Sequence, residues 1–135
     1  MSDFVDELGN NWSLRIDINA IRKVRSKRGI DLAKVISSQD ELNRLVDDPC
    51  MWVDVIWDLI EEQAKSKSVT EEMFAHGLLG DAIERATSAL LQAIVDFFPS
   101  SRREILQRLL MKVKQMEAAK LQQVSEAVDN LIFGD

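Results

Sequence analysis

Asp48-Pro49-Cys50-Met51-Trp52-Val53-Asp54-Val55-Ile56-Trp57-Asp58-Leu59-Ile60 is the stretch on which the fold turns. Proline at the first helical position gives up no hydrogen bond that the helix needs, and an aspartate just before it caps the end and complements the dipole. The spacing predicts a helix opening at 49. On it, Trp52, Val53, Val55, Ile56, Trp57, Leu59 and Ile60 cover most of the circumference and leave Asp54, Asp58, Glu61 and Glu62 as a narrow wet strip. A helix apolar on so many sides has to be covered from several directions, which places it at the centre. Cys50, inside this run, reads as a small buried hydrophobe. As the single cysteine it offers no intramolecular disulfide, and a reducing compartment is the simpler expectation.

The cover comes from both sides of this helix. Downstream, Thr70 is spaced as a cap, with Val69 and Phe74 as a hydrophobic staple, for a short helix to about Leu79 after a loop at Lys65-Ser66-Lys67-Ser68. Gly80-Asp81 restarts the chain into a helix with a stripe of Ile83, Ala86, Leu90, Ala93, Ile94, Phe97 and Phe98, which Pro99 ends. Trp52, Val53, Ile56, Trp57, Ile60, Leu90, Ile94 and Phe97 form the expected core. Upstream, Ser38-Gln39-Asp40-Glu41 reads as a capping box for a helix over about 39–47. Residues 31–36 fit a short helix, a single turn or a strand equally. Asn19 can cap a short helix that carries Ile21 and Val24 inward, with Gly29 closing it and the basic residues outside.

Only the beginning of the chain carries a strand signal. Trp12, Leu14, Ile16 and Ile18 alternate with Ser13, Arg15 and Asp17, and Phe4, Asp6 and Leu8 stand at the same two-residue period. A three-residue loop at Gly9-Asn10-Asn11 pairs Leu8 with Trp12, Asp6 with Leu14 and Phe4 with Ile16. The expected fold class is therefore mainly α (α+β): an N-terminal β-hairpin, about five to six helices and a long C-terminal helix. Residues 1–98 form the hairpin plus helical core. Residues 99–135 form the last helix, either part of the same single domain or projecting as an arm.

That last helix carries Leu106, Leu109, Val113 and Met116, then jumps five places to Leu121, Val124, Val128 and Leu131. The jump predicts a rotated second stripe with a different neighbour, and so a partner-binding surface at Leu121, Val124, Val128 and Leu131.

Charge and chemistry narrow the function classes. The 135 residues are 46% hydrophobic and 30% charged with a net charge of −6, the composition of one folded domain. Seven bases against two acids lie between Arg15 and Lys34, and twelve acids against three bases between Asp40 and Glu84, so the two segments can face each other. The basic helix Arg22–Arg28 keeps a nucleic-acid-binding regulator open as the alternative function, although no aromatic interleaving or Gly-rich loop accompanies it. The acidic start, Met1-Ser2-Asp3-Phe4-Val5-Asp6-Glu7, lacks the pattern of a signal peptide, and no run approaches the roughly 20 apolar residues of a bilayer span. His76 and Glu72 share a helix face, but one pair falls short of the three ligands of catalytic zinc. Catalytic, cofactor and metal residues are therefore expected to be none, Trp12, Trp52 and Trp57 to be core, and the protein not to be an enzyme. An enzyme subunit completed by a partner is the remaining class.

The order Phe4-x-Asp6-x-x-Gly9-x-x-Trp12-x-Leu14, Ile21-Arg22-Lys23-Val24-Arg25, Asp31-Leu32, Val53-Asp54-Val55-Ile56-Trp57, Phe74, Gly80-Asp81-Ala82-Ile83 and Asp96-Phe97-Phe98-Pro99 resembles the small tail assembly chaperone-type proteins of long-tailed phages and prophages. It covers about residues 4–103. The resemblance implies a cytoplasmic protein of the bacterial host that coats the apolar tape-measure protein, keeps it soluble, recruits tail-tube subunits and is absent from the finished particle. It also implies a family that often makes a longer product by ribosomal frameshifting. The expected partners are those two proteins and further copies of itself, with no nucleic acid and no membrane.

Overall fold

A computed structural model of the chain describes residues 2–133. Its centre is helix α3, Pro49–Ser66, whose cap Asp48 accepts hydrogen bonds from the Cys50 and Met51 amides at 3.0 and 3.4 Å. Trp52, Val55, Ile56 and Ile60 are buried along it, while Val53, Trp57 and Leu59 pack half-buried against the same core. Leu90 and Ile94 join them fully buried, with Phe97 half-buried. The helix continues through the expected loop residues Lys65 and Ser66. Cys50 is exposed instead of buried, because on the first turn of α3 it lies about 200° around the helix from the buried Trp52.

Around α3 lie α1 (Ile18–Arg28), α2 (Gln39–Val46), α4 (Glu71–His76) and the second hairpin strand. Two cap assignments change. Asp17, not Asn19, caps α1, taking the Ala20 amide at 2.8 Å, so Ile18 begins a helix where strand alternation was expected to run on. Ser38 caps α2 as expected, but Glu41 does not return the bond. Its carboxylate instead accepts from the Asp31 amide at 3.0 Å and from Arg44 at 2.8 Å, tying α2 to the single 3₁₀ turn at Leu32–Lys34. Gly29, at φ 73°, closes α1, and Val69 and Phe74 are both buried beside the Thr70 cap. Helix α4 stops at His76, short of Leu79.

The hairpin has a different register from the expected one. Strand β1, Ser2–Val5, pairs antiparallel with β2, Asn11–Leu14, setting Phe4 opposite Trp12 and Ser2 opposite Leu14. The cause is Asp6. Its buried carboxylate accepts hydrogen bonds from the Leu8 and Asn10 amides and from the Trp12 indole, each at 2.9 Å, so it organises the loop instead of standing in the ladder. The shift preserves side-chain parity, and Phe4, Trp12 and Leu14 still share the buried face. Leu8 is left exposed at the tip, and Gly9 takes the positive φ that the turn requires. The outer edge of β2 is occupied by Gln63 of α3, whose amide donates to the Ser13 carbonyl at 2.6 Å and accepts from the Ser13 amide at 2.9 Å. Helix α5, Asp81–Phe97, crosses β1 and carries the long α6, Ser100–Phe133.

The two oppositely charged segments meet most closely around Asp58. Arg28 donates in bidentate fashion to Asp58 at 2.8 and 2.9 Å and stands 3.5 Å from Asp54, while Lys23 donates to the Asp58 backbone carbonyl at 3.1 Å. Asp58, expected on the wet strip, has a side chain only 1% exposed. Hydrogen bonding to Asp58 pushes the Arg28 pKa further above its ordinary value, so the guanidinium is fully charged.

Replacing Arg28 by methionine leaves a buried carboxylate without its partner and is expected to cost about 3–5 kcal/mol by denaturant unfolding. The double variant Arg28→Met/Asp58→Leu should recover much of that loss; a double variant no better than the single one would show that the pair is not what the site depends on. Glu41 provides a pH test. The hydrogen bond from the Asp31 amide, followed by the contributions of Arg44, holds its carboxyl below the ordinary value despite partial burial. Its contribution is therefore present above the unfolded-chain pKa and is lost as pH falls through the folded-state value. Glu41→Gln should lower stability by about 1–2 kcal/mol at neutral pH, with the gap closing in acid; a gap independent of pH would refute the assignment.

Candidate functional site

Helix α6 changes environment along its length. Leu106 and Leu110 are buried against the body, Leu109 and Val113 are half-buried, and Gln107 accepts a hydrogen bond from Gln92 of α5 at 2.9 Å. Beyond Val113 every residue from Lys114 to Ile132 is exposed. At about 1.5 Å per residue this stretch extends roughly 28 Å.

The expected membership of the first stripe needs correction. Met116 is 56% exposed, whereas Leu110, which was left out, is 1% exposed. With Leu110 in place the stripe runs Leu106, Leu110, Val113, Glu117, Leu121, Val124, Val128, Leu131, a mean spacing of about 3.6 residues, the period of a straight helix. The rotation expected from the five-residue jump disappears. The exposed stripe is the outward extension of the face that α6 buries, interrupted once by Glu117. Leu121, Val124, Val128 and Leu131 thus share one face, with exposures between 44% and 85%. Ala118, Ser125 and Ala127 flank it with small side chains that let another backbone come close. The last base is Lys120, and Glu126 and Asp129 follow. Gly134 and Asp135, included in the expected arm, lie outside the described residues.

The other candidates are placed as follows. Arg22, Arg25 and Lys27 are exposed on α1, but Lys23 and Arg28 turn toward Asp58. His76 and Glu72 are both exposed, with 4.0 Å between Nε2 and the nearest carboxylate oxygen. Among the described residues no group of three or more His, Cys, Asp or Glu could hold a metal ion, and no helix is long and apolar enough to cross a membrane. Trp12 meets Phe74 edge-on at 5.4 Å, and Trp57 lies 5.8 Å from the same ring. These aromatics fill the core. No family model, curated protein or solved structure matches this chain.

Sequence reasoning missed Leu110 because Leu109 and Leu110 are both in phase with Leu106 and Val113, at i+3 and i+4 or at i+4 and i+3, and only the packing of α6 makes Leu110 the fully buried one. The two halves of α6 should respond differently to truncation. Leu110→Ala should destabilise by about 2–4 kcal/mol, while Leu121→Ala should stay within about 0.5 kcal/mol. Similar losses at both positions in thermal melts would mean that the distal stripe is covered by the protein itself.

Proposed function

We propose that this protein is a non-enzymatic assembly factor that binds a helical client through the distal stripe of α6, in the manner of the tail assembly chaperones that its sequence resembles. The observation that carries this reading is the extension of a core-forming helix face beyond the core. Six large apolar side chains, Met116, Leu121, Val124, Val128, Leu131 and Ile132, stand in water on that arm, which is unfavourable unless another surface removes them from it. An amphipathic helix packs on such a stripe with anchors at i, i+3, i+4 and i+7.

In this reading the client is the tape-measure protein, whose long apolar helices would precipitate uncovered. Tail-tube subunits are recruited by the resulting complex in the cytoplasm of the bacterial host. Without client, copies of the chain cover the stripe for one another as homo-oligomers. Duplex DNA binding by the Arg22–Arg28 helix is disfavoured because two of its bases are committed to Asp58.

The test is co-expression with a tape-measure segment encoded beside this gene, comparing the full chain, a Leu121→Ser/Val128→Ser variant and a truncation ending at 117. The full chain should keep the segment soluble and co-purify with it. Both altered forms should melt as cooperatively as the parent yet lose the segment and any self-association. Failure of the truncated chain to fold, or undiminished capture by the double variant, would overturn the proposal.

A further inference from the structure

A second surface lies on the body of the protein, away from the arm. Two adjoining depressions, of about 580 and 200 Å³, open between the first turns of α3 and the elements α4 and α5, and they share Pro49 and Val53. Their floor is apolar: Val46, Pro49, Trp52, Val53, Leu78 and Ile83. Their charged lining is acidic, Asp54, Glu71 and Glu72; Arg28, outside the lining, stands 3.5 Å from Asp54, which leaves Glu71 and Glu72 as the exposed carboxylates of the rim. Ile83 is 43% exposed, and Glu72 extends almost wholly into solvent. The smaller depression falls below the roughly 300–1,000 Å³ usual for small-molecule sites and suits one large apolar side chain.

Trp52 forms part of the floor. It lines the smaller depression while 4% exposed, and its indole Nε1–H is the single buried side-chain N or O atom without a hydrogen-bond partner among the described residues. Buried donors are almost always satisfied. Almost no accessible surface remains on that atom, so a segment resting in the cleft meets the Trp52 ring and not this donor.

We propose that this cleft docks a basic amphipathic segment of a partner protein. An apolar anchor fills the space beside Val53 and Ile83, and lysines or arginines on its flanks face Glu71 and Glu72. The choice of partner follows from the charge of the rim, which attracts cationic flanks and repels acidic ones. This inference stands apart from the arm, because no residue of α6 lines the cleft.

The experiment uses the full chain and two short synthetic helical peptides with the same leucine stripe, one with lysine at every polar position and the other with glutamate. Binding is read by titration calorimetry. The lysine peptide should bind in the micromolar range, and the glutamate peptide at least about tenfold more weakly. Glu71→Lys/Glu72→Lys and, separately, Ile83→Ser should each weaken the lysine peptide by about tenfold or more, whereas Leu121→Ser/Val128→Ser should leave its affinity unchanged. All three sites are exposed, and melts of each variant check the fold. Equal binding of the two peptides, indifference to the cleft substitutions, or loss of binding only in the arm variant would overturn the proposal.

Discussion

Charges enclosed between two packed helices are tolerated only where they pair, and between α1 and α3 that pairing is made by Arg28 and Asp58. Helix α3 is apolar around most of its girth, so its few acids have nowhere to go but toward a neighbour or into water. Asp58 faces α1, and both carboxylate oxygens accept from one guanidinium. A lysine at 28 could offer only a point charge, without the planar fork that holds the two helices in one relative orientation. Lys23 adds a bond to the backbone of the same residue. The position of α1, and of the 3₁₀ turn that hangs from Gly29, depends on this contact.

Much of the architecture was legible because helix ends are written in a local code. Asp48-Pro49, Ser38, Thr70 and Gly29 each act through groups within a few residues, so a reader of the sequence sees both partners of the interaction at once. The misreadings arise where the partner is remote or the local choice is nearly degenerate. Asp6 sits at a position that alternation assigns to a strand, yet it folds back on Leu8, Asn10 and Trp12, and no period-2 pattern reports that. Asp58 has the spacing of a wet strip, and only the distant Arg28 makes its burial tolerable. Asp17 and Asn19 are both good caps two residues apart, and the choice between them decided whether Ile18 ended a strand or began a helix.

The two candidate surfaces were legible to different degrees. The apolar residues on the distal half of α6 stand out in a sequence because nothing earlier in the chain is left to cover them. The phase of that stripe did not, since it hinged on whether Leu109 or Leu110 faces inward. The cleft beside Val53 and Ile83 left no trace at all: its walls come from three helices, and residues that read as ordinary core or ordinary surface acquire meaning only when brought together. Acidic charge between Asp40 and Glu84 was visible as a sum, but its gathering around an apolar floor is a product of folding.

A two-stranded sheet has two open edges, and an open edge is an invitation to other strands. In this protein the side chain of Gln63 meets the Ser13 amide and carbonyl just as the backbone of a neighbouring strand would. One glutamine on a helix therefore acts as a stopper for sheet growth on that side. For a chain that carries an uncovered apolar arm, this separation has value. The helical stripe stays open while the β2 edge is closed to cross-β pairing, so on that side a contact between crowded copies does not add a strand to the hairpin.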